Sequence, residues 1–312
     1  MRFGKVATLV AGVAVAGAAL LALLTATGRS SSAGSAAPAV AAPVSAYGPQ
    51  YVTAHVYVEH GKLADFVHSW EATFGGTNTP SSPVDITPTP STMIGSIIKS
   101  PVGVISAYDY QTPVPFPFGL EQVGWAVHDV NAAVESGRRM GLTTPVAPWT
   151  GPSGREAVVR FPGEFTTQLW EQFDMSGYPQ LASQPEGRIY VSDDTVAAFL
   201  TSYLEFTGGR VVSDVREADG GEIGAPGSKY HRIRLTSPFG NVVVSAGDGH
   251  WNYPFGRDVA GYTVSDVDAT VAKAEANGAT LLSPPYAGRD RKSAQLKFPG
   301  GYIAEVHDHP LA

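Results

Sequence analysis

Val127-His128-Asp129-Val130-Asn131-Ala132 and Val264-Ser265-Asp266-Val267-Asp268-Ala269 are two copies of one phrase, set 137 residues apart. The offset persists without a gap from 127 to 168. Gly141 answers to Gly278, Pro148 to Pro285, Gly151 to Gly288, Phe161-Pro162-Gly163 to Phe298-Pro299-Gly300, and Gln168 to Glu305. Turn glycines, prolines and apolar positions that match without drift mark a duplication. A repeat has to be found before any element is assigned, because missing it mis-assigns the whole fold.

Each copy reads as a strand, a helix and three further strands. In the first, Gln122 to Val127 is a strand, and Asp129 stands where a carboxylate can accept a hydrogen bond from the first turn of a helix. That helix runs to about Met140, Gly141 supplies the left-handed residue past its end, and Thr166 to Phe173 is the last strand. A looser copy precedes it. Tyr51 to Val58 is rich in β-branched and aromatic residues and reads as a strand. Leu63, Phe66, Val67, Trp70 and Phe74 follow at helical spacing until Gly75-Gly76. Thr77 to Pro90 reads as a Pro/Thr/Ser loop, with strands at Met93–Lys99 and Val102–Tyr110. A third unit has a strand at Arg188–Val191, a helix at Val196–Phe206 and strands at His231–Leu235 and Asn241–Ser245. There Phe199 and Gly208-Gly209 echo Phe66 and Gly75-Gly76 at an offset of 133. The fourth unit, Val259 to His307, is the echo itself. The expected fold class is α+β, with four βαβββ modules pairing one with two and three with four. The polar stretch Gln172–Glu186 divides them into a first domain at 47–175 and a second at 186–312.

The 312 residues are 43% hydrophobic and 16% charged, as in a compact globular protein. The net charge is −7, and a chain without Arg2, Lys5 and Arg29 would carry −10, which opposes phosphate binding and argues against a nucleic-acid partner. Arg2 and Lys5 precede an uncharged apolar run from Val6 to about Gly28, followed by Ser/Ala/Pro-rich sequence to Ala46. Residues 1–46 therefore read as a secretory signal with a linker, cut near Ala39-Val40-Ala41 or Val44-Ser45-Ala46. The apolar run approaches the length that spans a bilayer, so a retained N-terminal anchor is the alternative. Both place the folded part outside the cytoplasmic membrane. The chain has no cysteine, so thiolate metal sites and disulfides are excluded.

The phrases at 127–132 and 264–269, with Phe298-Pro299-Gly300-Gly301-Tyr302-Ile303-Ala304-Glu305-Val306, resemble the opening and closing of modules in the vicinal oxygen chelate superfamily, which includes glyoxalase I, bleomycin-resistance proteins and extradiol dioxygenases. Ser100-Pro101-Val102-Gly103 and Ser237-Pro238-Phe239-Gly240-Asn241 resemble it more loosely, and the likeness covers about 51–308. It implies glyoxalase-like domains whose sheets curl into open cups. It also implies a divalent metal held by residues of the first and last strands of each module, polarising the vicinal oxygens of a small substrate.

Carried over by the resemblance, the ligand positions of the first domain are Thr53, Ala107, Gln122 and Gln168. This set holds neither an imidazole nor a carboxylate, and it implies a metal-free cup. The second domain offers Glu186, Val244, Val259 and Glu305. Glu305-Val306-His307-Asp308-His309 puts Glu305, His307 and His309 on one side of an extended chain. Glu305, Glu186 and His307 are thus the implied ligands of an iron, zinc, nickel or manganese ion, with Glu305 as ligand or general base. Glu305 and His309 lie about 13 Å apart along a strand, so all three cannot reach one ion unless the chain bends; the bland reading is a solvated C-terminus.

His55, two residues from Thr53 on the same face, is a second candidate catalytic group, or else a hydrogen-bonded strand histidine. Gln122, Gln168, Trp125 and Tyr262 are candidates for ligand contact, the two aromatics alternatively filling the core. Tyr230, Arg232 and Arg234 share a strand face that can hold an anion or lie salt-bridged outside. Two functions stay open: an exported lyase, isomerase or dioxygenase acting on a small oxygenated molecule in a cup, the second cup in preference, or a metal-free protein sequestering such a molecule.

Overall fold

The computed structural model describes residues 42–312 apart from 152–153, 173, 179–180, 258–259 and 310–312, and it describes the backbone of Gln122 but not its side chain. The expected signal core and anchor, and Val259, lie outside the described residues. Among the described residues, no helix is long and apolar enough to cross a membrane.

Module one comprises β1 (Thr53–Tyr57), α1 (Leu63–Phe74), β2 (Thr77–Asn78), β3 (Ser82–Val84), β4 (Met93–Ser100) and β5 (Gly103–Tyr110). Module two is β6 (Glu121–Ala126), α2 (Val130–Arg139), β7 (Thr143–Thr150), β8 (Gly154–Arg160) and β9 (Thr166–Gln172). Module three is β10 (Glu186–Ser192), α3 (Val196–Thr207), β11 (Arg210–Asp219), β12 (Lys229–Ser237) and β13 (Gly240–Gly247). Module four is β14 (Ala260–Thr263), α4 (Val267–Ala276), β15 (Thr280–Ala287), β16 (Lys292–Lys297) and β17 (Ile303–His307). The stretch expected to be a loop at 77–90 thus carries two short edge strands, and β11 had no counterpart in the sequence reading.

The modules pair as the repeat requires. In each, the first strand lies parallel to the last, as Thr53 does beside Val104 and Glu186 beside Asn241. First strands then meet antiparallel between modules, Thr53 opposite Gly124 and Glu186 opposite Gly261. One open sheet of nine strands holds modules one and two, and another of eight holds modules three and four. The repeated prolines fall in β7 and β15 at the ends of these sheets, where a missing N–H removes no ladder bond.

The repeated motifs have matching roles. The Asp129 and Asp266 carboxylates each accept from the N–H three residues on, at 2.9 Å. Gly141 and Gly278 follow their helices at φ 88° and 91°, which a side chain would resist. Phe161 and Phe298 sit under tight turns closed by N–H···O=C bonds of 2.8 Å to Phe165 and Tyr302.

Packing crosses between the sheets. One core joins Trp125, Val130, Val134, Phe161 and Leu169 of module two to Phe199, Tyr203 and Phe206 of module three. Another joins Phe66 and Trp70 of module one to Tyr262, Val271 and Phe298 of module four. Each aromatic ring buried there contributes roughly 1.5–3 kcal/mol. The fold also reaches into the stretch expected to be leader: Val44 packs in the first core, its N–H bonds Phe206 O at 2.8 Å, and Ala46 bridges Val127. A cut at Ala39–Ala41 keeps these contacts, whereas one after Ala46 removes them.

Candidate functional site

Side chains alternate across each strand, so the residues between the helix-facing apolar ones line the opposite, concave face. In β1, Ala54 and Val56 belong to the core while Thr53 and His55 line a cavity of about 240 Å³ in the first cup. Ser106 and Tyr108 of β5, Glu156 of β8, and Gln168 and Trp170 of β9 complete its polar wall. Val84, Ile86 and Ile97 form the apolar side. At the rim Trp170 stacks on Tyr178, centroids 5.5 Å apart.

His55 is buried. Its Nε2 lies 3.4 Å from Thr53 Oγ1, and its Nδ1 lies 3.8 Å from Glu121 Oε1 with no hydrogen-bond partner among the described residues. Glu121 in turn accepts a hydrogen bond from the Tyr57 hydroxyl. Burial, and then the Glu121 charge, raise the Tyr57 hydroxyl well above its ordinary range, so it remains a donor. A β-carbon on Gly124 would lie 2.7 Å from both His55 Nε2 and Thr53 Oγ1, so only glycine leaves room for this imidazole. Glu156 is the second ionisable group on the wall. Burial raises its carboxyl from 4.5 to about 7, against the opposing hydrogen bond from Gln168 Nε2. The cup therefore holds an imidazole with a carboxylate behind it and a carboxyl that titrates near neutrality, both fit to take up or release a proton.

The second cup is built on the same register but filled differently. Glu186, Glu305 and His307 lie close together: His307 Nδ1 is 3.2 Å from Glu305 Oε1, and its Nε2 is 4.0 Å from Glu186 Oε2. His307 is wholly buried, not part of a solvated terminus, and His309 turns away to bond Asp290 O at 2.7 Å. Two arginines, which sequence reasoning missed, sit among these acids. Arg188 donates from Nε and Nη2 to Glu305 Oε2 at 2.8 and 2.6 Å and from Nη1 to Glu186 Oε2 at 3.3 Å. Arg291 reaches Glu186 Oε2 at 2.6 Å and Glu305 Oε1 at 2.8 Å. Burial alone would raise the Glu305 carboxyl, but Arg188, Arg291 and His307 outweigh it and hold it well below its ordinary value. Glu186 is lowered against its burial in the same way, by Arg188 first. Burial lowers the His307 imidazole despite its carboxylate neighbour.

The remaining candidates divide by face. Trp125 and Tyr262 fill the two inter-sheet cores and line neither cup, because they share the helix-facing side with Val123 and Ala260. Ala107 and Val244 lie on that side too, which takes them out of any cup ligand set. Gln168 lines the first cup, while the side chain of Gln122 is outside the described residues. Glu121 takes the inward position beside it, because a bulge interrupts the β6–β9 register between Glu121 and Val123. Arg232 faces the interior of the second cup, not an outer surface, and is paired with Glu222 at 2.6 Å and Asp290 at 2.8 Å. The signal for Arg188 was present in its spacing, two residues from Glu186 and thus on the same strand face. Arg291 comes from outside the strands, where spacing carries no such signal.

These donor sets do not fit the divalent metal that the resemblance implies. The first cup offers Thr53 and Gln168 at the carried-over positions, and in the second both carboxylates are taken by guanidinium groups. Among the described residues no three His, Cys, Asp or Glu side chains are placed to hold an ion.

No protein-family model matches the chain, and no curated protein matches it. Solved structures do. A mutant of 4-hydroxymandelate synthase from Streptomyces coelicolor superposes with a TM-score of 0.54 at 12% identity, covering 86% of this chain and 93% of that one. The 2,3-dioxygenase LapB from Pseudomonas sp. KL28 gives 0.49 at 12% identity, covering 85% and 93%. The 2,2',3-trihydroxybiphenyl 1,2-dioxygenase of Sphingomonas wittichii strain RW1 gives 0.49 at 13%, covering 82% and 89%. Together with the four βαβββ modules and their two open sheets, the first of these likenesses shows the fold: it is that of 4-hydroxymandelate synthase, with the paired modules that the resemblance implies.

Proposed function

We propose that the protein takes a small, oxygen-bearing organic molecule into the first cup, and that His55, with Glu121 behind it, exchanges a proton with that molecule. The observation that carries this reading is the buried imidazole on the cavity wall, whose Nδ1 faces a carboxylate 3.8 Å away. A cavity of about 240 Å³ falls just below the roughly 300 Å³ at which ordinary ligand pockets begin, so the ligand is small. Among the described residues no lysine or arginine lines it, which disfavours an anion. The reaction class is proton transfer next to a carbonyl or phenol, as in a lyase or isomerase, using groups the chain itself supplies. The aromatic lining of Tyr108, Trp170 and Tyr178 favours a second reading, sequestration of a flat molecule without turnover. The basic and apolar N-terminal stretch supports export for either role.

A thermal-shift panel of catechols, simple phenols, α-keto acids and α-dicarbonyls tests the site. A binder at a hundred times its dissociation constant should add about 2.7 kcal/mol of stability. Ser106→Phe, which fills the wall, should abolish the shift; an undiminished shift in that variant would reject the first cup. Deuterium uptake by a bound carbonyl compound separates the two readings. Proton transfer predicts uptake that His55→Ala slows by about a hundredfold or more, and sequestration predicts none.

A further inference from the structure

We propose that the second cup is a divalent-cation site closed by its own arginines, in which the guanidinium groups of Arg188 and Arg291 stand where an ion would. Three observations meet here. Glu186, Glu305 and His307 come from the first strand of one module and the last strand of the next, and the His307 ring lies between the two carboxylates, with Nδ1 3.2 Å from Glu305 Oε1 and Nε2 4.0 Å from Glu186 Oε2. These are two carboxylates and an imidazole, donors that suit iron, zinc, nickel or manganese. Yet Arg188 and Arg291 each contact both carboxylates. Every one of these five side chains is at least nearly nine-tenths buried, so the charges must be answered inside the protein.

The backbone is shaped for the arginine. A β-carbon on Gly261 would lie 2.1 Å from Arg188 Nη2 and 3.0 Å from His307 Cε1, so glycine at this floor position admits the guanidinium beside the imidazole. The first cup has the same arrangement one domain earlier, where Gly124 makes room for His55. Arg188 thus stands at the position of His55, and Glu186 at that of Thr53, when the two domains are aligned through Thr53–Gly124 and Glu186–Gly261. A guanidinium forks to two carboxylate oxygens and cannot be deprotonated in a protein, so two of them supply a fixed double positive charge. The cup keeps the acids of an ion site and has built the positive charge into the chain. What remains open there is a void of about 30 Å³, roughly one water in size.

Removing the arginines should therefore uncover the site. The full chain and the Arg188→Met/Arg291→Met variant would be compared with zinc, nickel and manganese chlorides after chelator treatment. Bound metal is read by elemental analysis and stability by thermal shift. The original chain should hold less than about a tenth of an equivalent and show no shift. The variant should bind about one equivalent, at least tenfold more tightly than the original, and recover most of a melting temperature that falls in chelator. Adding Glu305→Gln to the variant should cancel both gains. If the double variant does not refold, Arg291→Met alone opens one side and should show the same gain in uptake at smaller size. Stoichiometric metal in the original chain that disappears in Glu305→Gln would overturn the proposal. So would arginine variants that take up no more metal than the original.

Discussion

Thr53, His55, Gln168 and Trp170 in the first cup stand, position for position, where Glu186, Arg188, Glu305 and His307 stand in the second. The strands, their register and the glycine opposite the first strand are shared. The side chains at these positions differ, as do the edge strands, and one cup keeps a cavity of about 240 Å³ while the other closes around an ion-pair network. The duplicated backbone fixes where side chains converge. Whether that point stays open depends on whether the converging groups answer each other's charge. In the first cup they leave an imidazole nitrogen without a hydrogen bond from the described residues; in the second they satisfy one another.

The comparison can be broken most sharply at the paired positions Glu305 and Gln168. Glu305→Ala removes one of the two carboxylates that answer two buried guanidiniums and should cost about 3–5 kcal/mol in urea unfolding. Gln168→Ala removes one neutral donor to Glu156 and should cost about 1 kcal/mol. Similar losses at the two positions would mean that the second cup is not held by its ions.

The next test is the direction in which stability follows pH. Glu156 titrates near 7 when folded and near 4.5 when exposed, so the folded chain holds its proton more tightly. Its contribution is full below about pH 4.5 and is lost as pH rises toward 7, a drop of up to about 3 kcal/mol. Glu156→Gln should remove that drop, gaining on the original chain between pH 5 and 8. Glu305 acts oppositely: its carboxyl is held below the ordinary value, so its stabilisation is present above about pH 4.5 and fades as the pH falls further. Chemical denaturation across pH 3–8, with Glu156→Gln and Glu305→Gln in parallel, should show the two slopes with opposite signs.

The smallest expected effect is the one on which the domains should agree. Asp129→Ala and Asp266→Ala each remove a cap bond of 2.9 Å and should each cost about 1 kcal/mol. Values differing by more than that would show that the repeat conserves sequence here without conserving energetics.

Much of this was legible because the fold depends on local chemistry that repeats: Asp at the helix start, Gly at its end, Phe-Pro-Gly beneath a turn. Glu186 and Glu305 were legible through the family resemblance, and strand alternation set His307 beside Glu305. Alternation tells which residues share a face, but not which face meets helices. Trp125 and Tyr262 were therefore ambiguous until the inter-sheet cores were seen, and Arg232 was readable as an outer residue. Glu121 was hidden by a bulge, which shifts the inward position by one. Strand β11 was hidden because, as an exposed edge, it carries no run of buried apolar residues. His55 was legible as a candidate, but the carboxylate behind it comes from another module, and no local pattern announces that.

The cores join module two to module three and module one to module four, whereas the sheets join one to two and three to four. Hydrogen bonding and apolar packing thus run along different diagonals of the same four units. Severing the chain near Pro185 would leave two halves, each with an intact ladder and two bare oily flanks, one around Trp125 and Phe161 and the other around Trp70 in the first half alone. Each half's best available cover is the other. The covalent link between them matters less to their union than the surfaces they hide.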